Sequence, residues 1–531
     1  MKRLGLIFGL LVSMSIPTTA AAQTAAPAGC QYVLGFKTLH DLDASDVGDC
    51  VDSQFLGNPN GDQWQHTTKG LMVWRKADNW TAFTNGYMSW LNGPAGLASR
   101  LNTQRFPWEG DFGAPGTTAV SSSTGNPAAA PAPATPGGST LHSTLGSPAT
   151  FATHADFQGY GFLWGPSDGQ FGAIPAGDGT YTFYGSAATT SSCRGSPNTR
   201  NGAFTFTGTL DHVIGSSCTR LFGPGDGPAG WTFASDYAGG GQVVRFASGS
   251  RSGWLMPFHS EIHWKNPSTP DGLCQGAPCF YGGLGLAVST DNGKTFNIAG
   301  QIMQASQPLS AFMGGGKNMA SGYGSLVVAD AQGKHLDNPP PDAGQAFFYL
   351  FFGDAWPGAP GACSSNICLG VARARYADVI AAALSGDPHQ VARVFHKYDG
   401  ASPDPWTAPA TSDTPDDSGT AGTYSPLWTD ESGGNAEVIY DRSFDVYLAA
   451  YLHGAAIEVR ASPDLLHWSK PIGPAYAEPG RTLIYPTLIG DGEDPTIAAQ
   501  APRMYVQSFE TFPNWATQKF ESVQLMLSNG G

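Results

Sequence analysis

Short apolar stretches separated by clusters of glycine, aspartate, asparagine and serine recur along most of this chain. Residues 179–184, 203–207, 242–246, 345–352, 437–440 and 447–451 are examples. Runs of this length bounded by turn formers read as strands. Many short strands at regular spacing predict a sandwich, a barrel or a propeller. One helix is predicted, over Tyr376–Leu384, where Ser385-Gly386 stops it. A strand is expected just before it, over 369–375. Residues 113–140 break the pattern. They are almost wholly alanine, proline, serine, threonine and glycine, a composition that buries no core and behaves as a semi-extended linker. The linker separates a small region, 24–112, from a large one, 141–531.

The small region is dense in tryptophan: Trp64, Trp74, Trp80, Trp90 and Trp108. Two readings stay open. The indoles form the core of a tiny domain, or they form a platform that stacks on the flat faces of sugar rings. Ahead of this region, Met1-Lys2-Arg3 is followed by an apolar run from Leu4 to Met14 and by small residues around Ala22. This is the pattern of a secretory signal peptide over 1–23. The run is too short to span a bilayer, and no later segment approaches that length.

Composition narrows the function. Glycine (70) and proline (40) are abundant and charged residues make up 13%, which favours a loop-rich all-β protein. The net charge of −15 argues against nucleic acid and against anionic membrane surfaces as partners. The eight cysteines fall into neighbouring pairs: Cys30/Cys50, Cys193/Cys218, Cys274/Cys279 and Cys363/Cys368. In a secreted or periplasmic chain these read as four local disulfides.

Residues Ser289-Thr290-Asp291-Asn292-Gly293-Lys294-Thr295-Phe296 lie between two apolar runs, so a strand, a tight polar turn and a second strand are expected. The pattern resembles the Asp-box of sialidases and related β-propellers. A looser copy, Ser462-Pro463-Asp464-Leu465-Leu466-His467-Trp468, resembles a turn of five-bladed glycosidase propellers. The resemblance implies a β-propeller over 141–531, and the roughly 390 residues there fit five or six four-stranded blades, in an all-β chain with a small Trp-rich N-terminal module. It also implies activity on glycosidic bonds, although Asp-boxes sit far from the catalytic centre. The three-arginine carboxylate grip of sialidases has no matching order among Arg245, Arg373, Arg460 and Arg503.

The most suggestive chemistry lies in Phe258-His259-Ser260-Glu261-Ile262-His263-Trp264. On a strand, residues two apart share a face, so His259, Glu261 and His263 would line up. The outer two would lie roughly 13 Å apart, too far for one metal ion to take all three. Glu261, desolvated among aromatics, is expected to have a raised pKa and act as general acid. The competing reading is a structural carboxylate bonded to its two imidazole neighbours. Asp168, Asp236 and Glu437 are the candidate partner carboxylates. His259, His263, Lys317 and Tyr323 are candidate sugar-binding residues. The expected reaction is hydrolysis of a polysaccharide or oligosaccharide by two carboxylates flanking the bond. A non-catalytic glycan- or protein-binding propeller and a polysaccharide lyase using His259 or Tyr323 as base are the alternatives. No cofactor is expected. The many aspartates leave room for a structural Ca²⁺ in the channel, without an EF-hand-like loop.

Overall fold

The computed structural model describes residues 30–101 except 57–60, 77–79, 85–87 and 94–95, and residues 141–529 except several loops, the longest being 307–318 and 355–366. The signal-peptide and linker expectations therefore lie outside the described residues. The chain divides into two compact units, Met1–Pro133 and Ala134–Gly531, a division that falls inside the segment read as linker.

The first unit is an antiparallel meander with a helical cover. Helices α1 (Leu34–Leu42) and α2 (Ala44–Val47) precede strands β1 (Phe55–Leu56), β2 (Gln63–Thr67), β3 (Gly70–Arg75), β4 (Trp80–Thr84), β5 (Met88–Gly93) and β6 (Gly96–Leu101), which pair in chain order. Phe36 and Leu39 of α1 are buried against Met72 and Phe83, with Trp74 and Trp90 packed at the edge of this cluster. Burying each such side chain is worth about 1.5–3 kcal/mol, which suits a core this small only with help. The Cys30–Cys50 disulfide, with its Cα atoms 6.1 Å apart, supplies some.

The second unit is mostly β. It holds a five-stranded sheet within 162–222 and a ten-stranded sheet within 237–409. A four-stranded sheet is built on 437–462 with 497–498, and a five-stranded sheet on 482–529 with 141–153. In the last sheet the strand Lys519–Asn529 pairs with Leu141–Leu145 and with Ala149–Thr153, so the two ends of the unit are bonded to each other.

Buried side chains link segments of these sheets in series. Gln242 Oε1 accepts the N–H of Leu326 at 2.7 Å. Ser325 Oγ accepts the N–H of Val438 at 3.0 Å. Glu437 Oε2 accepts the N–H of Leu488 at 3.3 Å. Thr487 Oγ1 accepts the N–H of Phe171 at 3.4 Å. Gly172 lies so near the backbone of Gly241 and Val243 that a Cβ there would sit 2.7 Å from both Gly241 O and Val243 N. All four bridging side chains are buried. A buried backbone N–H must be paired, and here a side chain from the neighbouring segment pairs it.

The turn after the strand Cys279–Ser289 forms as its sequence predicts and leads into the paired strand Asn297–Met303. Asp291 accepts from Ser289 Oγ at 2.8 Å and from the N–H and hydroxyl of Thr295 at 3.0 and 2.7 Å. Asn292 and Gly293 take positive φ, and Phe296 is buried beneath. Asp291→Ala removes these bonds from an exposed turn. It is expected to cost about 1–2 kcal/mol in urea unfolding and to leave any hydrolytic activity unchanged. In the second turn Asp464 accepts the N–H groups of Leu466 and His467 at 3.1 and 2.8 Å.

The predicted helix is present as α3 (Tyr376–Ser385), closed by Gly386 in the left-handed conformation. Its buried residues are Tyr376, Val379, Ile380, Ala382 and Ala383, of which Tyr376, Val379, Ile380 and Ala383 follow helical spacing. Three predicted disulfides are formed, Cys30–Cys50, Cys193–Cys218 and Cys274–Cys279. Cys368 is also disulfide-bonded, and its predicted partner Cys363 lies outside the described residues.

Candidate functional site

The strand Arg251–Trp264 crosses the ten-stranded sheet, pairing with Cys279–Ser289 on one side and with Tyr237–Ala238 and Val244–Ser248 on the other. Its pleat places His259, Glu261 and His263 on one face, as the alternation predicts. The carboxylate of Glu261 bridges the two imidazoles. His259 Nε2 lies 2.9 Å from Oε1, and His263 Nε2 lies 2.6 Å from Oε2. Exposure rises along the row, from 3% for the His259 side chain to 13% for Glu261 and 29% for His263. The row is therefore anchored at His259 and opens to solvent at His263.

Two neighbours fix the anchored end. The Tyr237 ring lies 5.7 Å from the His259 ring. Gly322, near the start of the strand Met319–Asp330, faces His259 so closely that a Cβ there would stand 2.6 Å from Nδ1. A side chain at 322 would push the imidazole away from Glu261. At the open end, Asp236 accepts the backbone N–H of His263 at 2.9 Å and the hydroxyl of Ser235 at 2.7 Å. Pairing of Tyr237 with Glu261 brings Asp236 there, although it stands 27 residues from His263 in the chain.

The electrostatics reverse the role expected of Glu261. Burial pushes its carboxyl up, but the hydrogen bonds from both histidines and their charge outweigh this and hold it at about 2. Glu261 is thus an ionised carboxylate, not a protonated acid with a raised pKa. The sequence expectation considered desolvation and gave too little weight to two imidazole donors two residues away on either side. For His263, burial lowers the pKa, while its bond to Glu261 and the charges of Glu261 and Asp236 raise it, with a net upward shift. Of the two groups it is the imidazole whose hold on a proton is strengthened.

Glu437 stands apart from this row. It is 1% exposed and lies within the series of buried links described above. Burial raises its pKa well above the usual range, against hydrogen bonds from Leu488, Gln242 and Thr487. It accepts a backbone N–H from the neighbouring strand Thr482–Ile489 and is buried. Asp168 and Lys317 lie outside the described residues. Tyr323 lies in the strand Met319–Asp330, one residue past Gly322, and its side chain is outside the described residues. Among the described residues no group of three His, Cys, Asp or Glu could hold a metal ion.

A second charged cluster escaped sequence reasoning. Lys397, fully buried, donates to the carbonyl of Gln304 at 3.0 Å and to Ser306 Oγ at 3.3 Å. Ser306 in turn gives its N–H and hydroxyl to Asp354 at 3.1 and 3.0 Å. The ammonium lies 5.4 Å from the Phe352 ring centre and 5.9 Å from that of Tyr424. Burial lowers Lys397 to about 8 against the pull of Asp354, and burial raises Asp354. Nothing in the short polar run His396-Lys397-Tyr398 marks it as interior.

No protein-family model matches the chain, and no curated protein matches its sequence. Solved structures do superpose on it. A family 117 glycoside hydrolase from the marine bacterium Zobellia galactanivorans aligns over 72% of this chain and 90% of its own, at 8% identity and a TM-score of 0.36. An endo-1,5-α-L-arabinanase from Thermotoga petrophila aligns over 69% of this chain and 74% of its own, at 11% identity and a TM-score of 0.33. A family 93 α-L-arabinofuranosidase of Fusarium graminearum aligns over 69% of this chain and 96% of its own, at 12% identity and a TM-score of 0.29.

Proposed function

We propose that the protein is a secreted glycoside hydrolase acting on polysaccharide, its second unit a five-bladed β-propeller. The series of buried links through Gln242, Ser325, Glu437 and Thr487, with the close approach at Gly172, supports five blades around one axis. The basic-apolar leader and the disulfides support export.

The observation that carries the reaction is that one residue, His263, is bonded to two carboxylates. His263 bonds Glu261 through its ring and Asp236 through its backbone N–H. In this reading the His263 imidazolium is the general acid. Its Nε2–H is held by Glu261, and its other ring nitrogen delivers a proton to the leaving glycosidic oxygen. Glu261 stabilises and orients the imidazolium. Asp236, the carboxylate open to solvent, serves the water or the anomeric carbon. The C–O bond breaks, the leaving sugar keeps the proton, and water supplies the new hydroxyl. Gly322 leaves room for this row, and Tyr323 beside it is a candidate to meet the sugar.

The pH dependence follows. His263 must carry its proton, so kcat/KM is expected to fall as pH rises through a value above 6.5. Glu261 stays ionised down to about 2, so it contributes no acid limb in the working range. A polysaccharide panel scored by reducing-end release, followed by a pH–rate profile on the best substrate, tests this. The assignment fails if the rate is flat from pH 6 to 9, or if His263→Gln keeps the wild-type rate and profile.

A further inference from the structure

A pocket of about 430 Å³ opens in the first unit, where the N-terminal turn of α1 meets the sheet. Its floor is one register row running across four strands. Gln63 of β2 stands opposite Trp74 of β3, Trp74 opposite Thr81 of β4, and Thr81 opposite Asn92 of β5. Directly opposed residues share a sheet face, so the four lie side by side over about 14 Å at the spacing of neighbouring strands. The next row on the same face, Gln65, Met72, Phe83 and Trp90, is the one that α1 covers. The body of the helix thus lies over that second row, and only its first turn reaches the first. Gly35 lets its first turn sit close on Thr81 and Trp74 and wall the pocket.

The lining mixes apolar Val33, Leu34 and Phe36 with uncharged polar side chains. None of the described residues around the pocket is charged, and Gln54 adds a third carboxamide to those of Gln63 and Asn92. Carboxamides both donate and accept, which matches the mixed donor and acceptor character of sugar hydroxyls. A half-buried indole between them matches the apolar face of a sugar ring. A charged ligand would find no counter-charge there. The rim adds an independent sign. Leu34 is 85% exposed and takes a left-handed φ of 47°. Neither burial nor backbone preference places a leucine there, and such local strain gathers at ligand sites.

We propose that this row is a binding site for a neutral oligosaccharide, laid across the strands with one ring on Trp74 and its hydroxyls on Gln63 and Asn92. The site belongs to the first unit alone and stands independently of the hydrolase reading. The test is calorimetric titration of the full-length protein with cellohexaose, xylohexaose, 1,5-α-arabinohexaose and hexagalacturonate. At least one neutral hexasaccharide is expected to bind, about tenfold or more weaker in Trp74→Ala and several-fold weaker in the Gln63→Ala/Asn92→Ala double variant. Any binding of hexagalacturonate is expected to be unchanged by either. The double variant guards against misfolding of Trp74→Ala, and circular dichroism checks both. The proposal is overturned if no neutral hexasaccharide binds, or if the double variant, still folded, binds it as wild type does.

Discussion

Replacing Glu261 by glutamine is expected to lower kcat by about 10²–10⁴-fold, the usual contribution of a positioned proton donor, and to move the alkaline limb of the pH profile downward. The reasoning starts from the bridge. Glu261 holds His259 at 2.9 Å and His263 at 2.6 Å, and its charge is among the causes that raise His263. Glutamine keeps the shape but not the charge. Burial, which lowers the His263 pKa, then loses its main opponent. The imidazolium gives up its proton at lower pH, and the donor is missing under conditions where the wild type works. A purely structural Glu261 would lower the amount of folded protein and leave the profile of the remainder where it was. Comparing kcat/KM against pH for the two proteins, per folded molecule, separates the cases. An unshifted limb in Glu261→Gln would remove His263 as the acid.

The same bridge contributes to stability, with a definite pH window. The folded pKa of Glu261 is depressed from 4.5 to about 2. Its stabilisation is therefore complete above 4.5 and lost as pH falls through about 2, and amounts to roughly 3 kcal/mol. The folded pKa of His263 is raised. Its contribution is complete below 6.5 and lost as pH rises through the folded value. The two overlap between about 4.5 and 6.5, where the row is held most firmly.

Some of this was legible in the chain. The two-residue period put His259, Glu261 and His263 on one face, because a strand leaves no other choice. The sign of the Glu261 shift was not legible, since it depends on imidazole rotamers that turn both rings inward. Asp236 was named as a candidate carboxylate, but its meeting with His263 needs the pairing of Tyr237 with Glu261. Glu437 was placed correctly at the start of a strand, Glu437–Asp441, yet that strand is buried along its whole length. Helix α3 announced itself through apolar spacing and a closing glycine. Helix α1 did not, because it buries only Phe36 and Leu39 and lies beside a stretch crowded with aromatics.

Lys397→Met is expected to destabilise the second unit by about 3–5 kcal/mol, the cost of leaving one member of a buried pair behind. Methionine matches the aliphatic stem and fills the space between Phe352 and Tyr424, so loss of packing volume is small. What it removes is the charge that favours the ionised form of the Asp354 carboxyl against burial. Ser306 still gives Asp354 two bonds, but the ammonium that bound both Ser306 and Gln304 is gone. Asp354 then either stays charged without a counter-ion or takes up a proton, and both cost stability. Adding Asp354→Asn to Lys397→Met removes that stranded charge while an amide oxygen can still accept from Ser306. The double variant is expected to be more stable than Lys397→Met alone, a coupling of 0.5–3 kcal/mol being typical of residues sharing one network. Urea unfolding of the wild type, both single variants and the double completes the cycle. Additive losses would mean that Lys397 and Asp354 act through separate contacts, and that the cluster is a packing arrangement without electrostatic coupling.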